Sequence, residues 1–342
     1  MENMVSCQYL KNDGHRFDVL KFGLAILVVL IHTSQQGMFF RPILRVAVPL
    51  FFLMTSYFFF AKQASLNTGD EKKKGLQKFV KRTLWLYAFW FVALLPLTIY
   101  YRNWGGVNLI ILRDFLLGST FKASWFLMAS LIDVILVWAM SRTINDKWLL
   151  AIGFLAYLLC CLSSNYYYLS IGVLPSFEVC RQLFNPVTSF LVAFLFVVTG
   201  KILAENPIYV SNKHLALIIA FSAVALCGEF LLVRNRHWDV SDDCFICLIP
   251  LCIAVFLMIG QNDFTIDMDS KVLRNYSTIT YCFHASFAPI IGQLLVWSGF
   301  VKGAWDYTSL KFIATLALSL TAGWLILRSE KKKRLGWLKY SH

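Results

Sequence analysis

Two of the six histidines in this 342-residue sequence, His32 and His284, fall inside long apolar runs where an ionisable ring needs an explanation. In RFDVLKFGLAILVVLIHTS, Arg16 to Ser34, no charge or turn signal interrupts Phe22 to Ile31. At about 1.5 Å per residue, a helix carries His32 roughly 16 Å beyond Lys21, near the middle of a ~30 Å hydrocarbon layer. At ~100° per residue the same spacing returns Lys21 and His32 to nearly one helix face. Asp133 and Glu229 are the other ionisable groups at depth. Such groups are costly in lipid and face a bundle interior or a watered cavity. Two histidines and two acids can form the proton relay of a transporter, or can orient a catalytic base. The plainer alternative for His32 is an interior ring bonded to a neighbouring helix. No two of the four stand at i, i+3 or i, i+4, so a metal site is not expected.

The elements that position these groups follow from composition. With 58% hydrophobic, 16% aromatic and 15% charged residues, the chain carries too much apolar surface for soluble cores, and it reads as an all-α, polytopic transmembrane helix bundle. About ten spans are expected, near 18–36, 42–61, 83–101, 122–140, 148–164, 183–200, 214–233, 244–260, 273–298 and 308–327, each close to the ~20 residues that a crossing needs. The first apolar run lacks a small-residue cleavage site and is expected to be retained. Under this parsing 22 of the 32 Lys and Arg fall on the side shared with the N-terminus and 10 on the other, which predicts both termini cytoplasmic. The formal charge of +13 sits in short connections. It therefore reads as topology, not as a nucleic-acid-binding face. Residues 1–342 are expected to form one domain, with a basic cytoplasmic loop at 62–82 and a basic tail at 328–342.

That loop contains EKKKGLQKFVKR and can form a short basic interfacial helix suited to phosphates of lipid or nucleotide, or can simply fix orientation. The second span, RVAVPLFFLMTSYFFF, joins Arg45 and Pro49 to a dense aromatic run. Pro49 is expected to kink it, with Thr55 and Ser56 bonding the freed carbonyls. The nine cysteines are odd in number and several lie in apolar runs, so no disulfide framework follows. Cys244 and Cys247 form a lone C-x-x-C without a second pair.

Taken together, these segments resemble one family. FDVLKFGLAILVVLIHTS is similar to the first helix of the acyltransferase-3 family of integral-membrane acyltransferases, in which a basic residue, ten mostly apolar residues and a histidine follow one another; Lys21 and His32 match that pattern. RVAVPLFFLMTSYFFF resembles the family's VPLFF-x-x-SGY helix, with Thr55-Ser56-Tyr57 lacking the glycine. KFVKRTLWL, with Lys78, Lys81 and Arg82, resembles its basic cytoplasmic element, with lysines where paired arginines are common. SWFLMASL, Ser124 to Leu131, resembles its W-[FY]-L helix, and LRNYSTITYCFHASF, with Ser277, Tyr281 and His284, its S-x-x-x-Y-x-x-H helix. The matches keep the family order from Asp18 to His284.

The resemblance implies an enzyme of the bacterial inner (cytoplasmic) membrane that moves an acyl group, usually acetyl from acetyl-CoA, to a hydroxyl of a surface glycan or its lipid-linked precursor. His32 is then the general base. Lys21, Lys78, Lys81 and Arg82 hold the CoA phosphates, and Arg45, Asp133, Tyr281 and His284 bind substrate or support the base. No metal and no nucleic acid are implied; the lipid bilayer, acyl-CoA and the glycan are the partners. Hydropathy equally allows a proton-coupled exporter of a small solute, although no inverted repeat favours one, and a regulatory membrane domain without turnover is a third reading.

Overall fold

The computed structural model describes residues 2–35, 38–102, 114, 120–121, 123–173, 176, 178, 185–262 and 269–342, with side chains from residue 14 onward apart from 101, 102 and 333. The architecture is all-helical, as expected. In chain order the α-helices are α1 Glu2–Thr33, α2 Arg41–Leu44, α3 Ala47–Ala64, α4 Gly69–Ala93, α5 Leu95–Arg102, α6 Trp125–Met140 and α7 Asp146–Leu162. They continue with α8 Tyr167–Val173, α9 Phe190–Glu205, α10 Asn212–Asn235, α11 Leu248–Gln261, α12 Ser270–Trp297 and α13 Trp305–Ser329. Two 3-10 segments, Pro186–Thr188 and Lys333–Ser341, complete the described elements.

Among the described residues, four stretches are long and apolar enough to cross a membrane: Arg41–Ala64, α10, α12 and α13. A fifth results if α7 and α8, bent by 96°, count as one span. α6 and α11 are apolar but shorter than ~20 residues. The apolar part of α1 is likewise short, because Arg16, Asp18 and Lys21 occupy its last eighteen residues. Part of the expected span at 183–200 lies outside the described residues, and α9 begins only at Phe190.

Two local expectations are corrected. The basic stretch 62–82 is not a separate interfacial helix: Lys62 lies in the last turn of α3, which ends at Ala64, and from Gly69 the stretch belongs to α4, which continues without a break to Ala93. A reciprocal cap starts α4, since Glu71 N donates to Thr68 Oγ1 (3.2 Å) while the Glu71 carboxylate accepts from Thr68 N (3.1 Å). The disruption expected from Pro49 falls at Arg45–Val46, where α2 ends and α3 begins: the proline cannot donate to the Arg45 carbonyl four residues back, and its ring crowds it. Ser56, by contrast, does not bond a freed carbonyl of this span, because its hydroxyl donates to the Val197 carbonyl of α9.

The helices group into two compact units that alternate along the chain. The first takes Met1–Phe17, Gln36–Phe79 and Ala129–Thr265. Here α9 packs on α3 and α7, and α10 on α11. Small residues set the approach: a Cβ on Gly200 would meet Leu53 O at 2.6 Å, and one on Gly153 would meet Leu195 Cα at 2.9 Å. The connection between α10 and α11 is held by polar groups. Asp242 accepts from Arg41 Nε (2.6 Å) and Arg45 Nη2 (2.5 Å), and Arg45 also pairs with Asp243 (2.7 Å). Glu229 accepts from Ile246 N (2.7 Å), Cys247 N (2.9 Å) and the Tyr166 hydroxyl (2.8 Å). Its carboxylate thus sits among the backbone N–H groups that open α11, where negative charge is favoured.

The second unit takes Asp18–Gln35, Val80–Met128 and Ile266–His342. In it α12 packs on α13, with the Tyr276 ring filling the space that a Cβ on Gly323 would need.

Burial alone would raise the Asp242 carboxyl, but the hydrogen bonds and charges of Arg41 and Arg45 outweigh it and hold the group below the usual carboxylate range. The stability this confers is fully present above the unfolded value of about 3.9 and is lost as pH falls through the depressed native value. Asp242→Asn leaves two arginines short of a counter-charge and should cost about 3 kcal/mol or more near neutral pH. The unfolding midpoint in detergent should therefore fall clearly below wild type at pH 7, with the gap narrowing below about pH 4. A gap that stays constant with pH would remove the ion pairs as its cause.

Candidate active site

Two helices of the second unit build the site. α1 carries Lys21 and then His32; α12 carries Arg274 and then His284, so both helices run from cation to histidine. They meet at both levels. At the foot, Asp18 accepts from Lys21 Nζ (3.4 Å) and lies 3.7 Å from Arg274 Nη1. Ser277 Oγ donates to the Lys21 carbonyl at 3.0 Å. Arg82 of α4 is near enough for its charge to act on both Lys21 and Arg274. At the upper level the rings of His32 and His284 lie 5.0 Å apart, centroid to centroid, tilted by 47°.

The surroundings fix how His284 can act. Its side chain is fully buried, and Nδ1 lies 2.9 Å from the Thr280 carbonyl one turn back. A carbonyl only accepts, so Nδ1 carries the hydrogen and a neutral ring presents a bare Nε2. That Nε2 is buried without a hydrogen-bond partner among the described residues. His32 is the exposed member of the pair. Tyr281, with its ring centroid 6.0 Å from that of His284, donates its hydroxyl to Ala123 O at 3.3 Å and packs its ring on Phe126. Ala123 has φ 68°, a conformation unfavourable for a residue with a Cβ. The turn around it is pinned by Ser124, whose hydroxyl donates to Phe121 O (2.6 Å) and accepts from Phe121 N (3.2 Å). The Ser-Trp-Phe-Leu segment thereby delivers a carbonyl to Tyr281, one turn from the histidine.

Of the residues singled out from sequence, the second unit brings His32 together with His284 and Tyr281, and Lys21 with Arg82. Lys81 is exposed on α4. Lys78, Arg45 and Asp133 belong to the first unit. Arg45 is engaged by Asp242 and Asp243. Asp133 is fully buried, and neither carboxylate oxygen has a hydrogen-bond partner among the described residues. Sequence reasoning missed Arg274 and Asp18. A signal was present for Arg274, because it precedes His284 by ten residues much as Lys21 precedes His32 by eleven.

The arrangement offers two linked functions: a cationic foot able to hold phosphate, and, roughly 16 Å along α1, a pair of imidazoles able to accept and pass a proton. Comparison with known families decides between broad classes. A family model described as an acyltransferase domain, Acyl_transf_3, matches residues 15–328. The chain belongs to the acyltransferase-3 family. The matched region of this acyltransferase-3 chain contains His32, His284 and the whole cationic foot of Asp18, Lys21, Arg82 and Arg274. Among curated proteins it is similar to two from Enterococcus faecalis named amino-acid racemase. One is 25% identical over 72% of this chain and 36% of the relative, the other 23% identical over 95% and 48%. The chain thus spans less than half the length of either relative. No solved structure matches it.

Contact between the two rings has a measurable consequence. In a double-mutant cycle of His32→Ala and His284→Ala, the effects on unfolding free energy should be coupled by about 0.5 kcal/mol or more. Strict additivity would mean that the rings do not touch in the folded protein.

Proposed function

We propose that the chain is a membrane O-acyltransferase that transfers an acetyl group from cytoplasmic acetyl-CoA to a hydroxyl of a surface carbohydrate or its lipid-linked precursor. In this reading it is one functional domain of about ten spans in the bacterial inner membrane, with both termini cytoplasmic. The observation that carries the reading is the His32–His284 contact on the same two helices that join Lys21 and Arg274 through Asp18. Acyl transfer from a thioester needs a base for the incoming hydroxyl, a held donor and little further activation.

His32 takes the hydroxyl proton as the oxygen attacks the thioester carbonyl carbon. A C–O bond forms, the C–S bond breaks, and the departing CoA sulfur receives the proton from the imidazolium. His284, its Nδ1 tied to Thr280, faces the His32 ring as a neutral acceptor, and Tyr281 fixes the packing around it. Lys21 and Arg82, joined by Lys81 of the same basic element, hold the donor phosphates, for which charge-assisted bonds are the strong ones; Lys78 belongs to the first unit and is not assigned to this site. Arg45 stabilises the connection between α10 and α11 through its two aspartates and is not assigned to the acceptor.

One observation favours a second reading, a proton-coupled carrier of a small solute: Asp133 is fully buried with neither carboxylate oxygen hydrogen-bonded among the described residues, as suits a group that takes up and releases a proton. The two readings part in one assay. Purified protein is given acetyl-CoA and native glycan, with folding checked in parallel. His32→Ala should lower transfer by ~10²–10⁴-fold at unchanged folding. A folded variant with near-normal transfer would end the assignment of the base. Solute movement in proteoliposomes without any acyl product would select the carrier. Topology is tested separately: reporters inserted at Ser65–Thr68 should read cytoplasmic and at His237–Asp239 external, and an outward signal from the first would sink the donor-side assignment.

A further inference from the structure

We infer that the C-terminal segment from Lys333 to His342 is a wall of the site that receives the donor's phosphates, and that Arg274 and Lys271 act there with Lys21 and Arg82. The inference rests on the acyl-CoA reading above for the identity of the anion, and on geometry within the second unit for everything else.

The segment is docked on α4 by three specific contacts. Trp90 Nε1 donates to Ser341 O at 2.9 Å, in a buried environment. Trp85 stacks on Tyr340 with centroids 5.2 Å apart and planes 25° from parallel. Phe89 meets Trp337 at 5.5 Å. Arg82, Trp85 and Phe89 stand at i, i+3 and i+7, so the face of α4 that carries the aromatic dock also carries Arg82. Docking therefore brings the end of the segment to the cations. His342 feels the charges of Arg82, Lys271 and Arg274, and its Nε2 is 3.4 Å from a Glu330 carboxylate oxygen.

The charge balance says what the site is for. Lys21, Arg82, Lys271 and Arg274 gather cations from three helices, and Asp18 and Glu330 are the acids that meet this group in the interactions described. Burial first, then the cations, push the His342 imidazole below its ordinary value against the pull of Glu330, so the ring contributes no positive charge of its own at neutral pH. The segment does not neutralise the cluster: it carries Lys333, Arg334 and Lys339 and no acid. A plug imitating a phosphate would need anionic side chains. A basic, aromatic-anchored wall instead suits a polyanionic ligand that remains to be bound.

The test compares wild type with Tyr340→Ala and Trp85→Ala, and with Trp90→Phe, which keeps the ring and removes the N–H. Acetyl-CoA and acetyl-pantetheine, which lacks the nucleotide phosphates, serve as donors, and binding of adenosine 3′,5′-bisphosphate is measured alongside. Expected is a KM for acetyl-CoA raised about tenfold with kcat little changed, an unchanged KM for acetyl-pantetheine, and a matching loss of bisphosphate affinity; Arg274→Gln should behave alike. Unchanged constants for acetyl-CoA in folded variants would overturn the inference while leaving the acyltransferase reading intact, and a lowered KM would identify an inhibitory plug instead. If wild type transfers no acetyl group, a bisphosphate affinity that falls in the variants would uphold the wall and reject the acyl-transfer reading. Absence of any bisphosphate binding by wild type would overturn the wall.

Discussion

An ionisable side chain withdrawn from water needs a partner, and the arrangement of the second unit follows from satisfying that need at two levels of one helix pair. Lys21 and Arg274 are like charges on adjacent helices and would repel; Asp18 between them turns the repulsion into a bridge. One helix turn further along α12, Ser277 ties the backbones together. Once the foot is fixed, the upper level follows, because two helices that run the same way carry their histidines to a common depth. The imidazole contact is thus set by an ion pair many ångströms away.

The same rule shapes the first unit with a different outcome. Arg41 and Arg45 meet Asp242 and Asp243, and Glu229 meets backbone donors at the start of α11. These groups answer one another and so hold a connection in place. The histidine pair differs in leaving a buried acceptor nitrogen without a partner among the described residues. Asp133 shares that property. A buried polar group left unsatisfied is costly, commonly by about 1–3 kcal/mol.

The relatives place a boundary on what family membership conveys. The similarity to one racemase-named protein extends over 95% of this chain yet 48% of that protein. Membership fixes the membrane acyltransferase-3 architecture. The acceptor and the chemistry of the whole relative are separate matters.

The sequence by itself determined the helical class and the presence of several membrane-crossing helices, and put Lys21 and His32 on one helix, because hydropathy and the 3.6-residue period are local properties of a single helix. It also marked Tyr281 and His284 through a motif. It misplaced the basic stretch 62–82 as a separate helix, although Thr68 and Glu71 stood at capping-box spacing, since a helix boundary depends on caps as well as on charge. Only the tertiary structure paired His32 with His284, set Arg274 and Asp18 beside Lys21, committed Arg45 to two aspartates and folded the tail onto α4. Each of those contacts joins residues far apart in the chain. No spacing rule spans such distances: which faces meet is decided by close helix packing and by the ion pairs and hydrogen bonds that the packing closes.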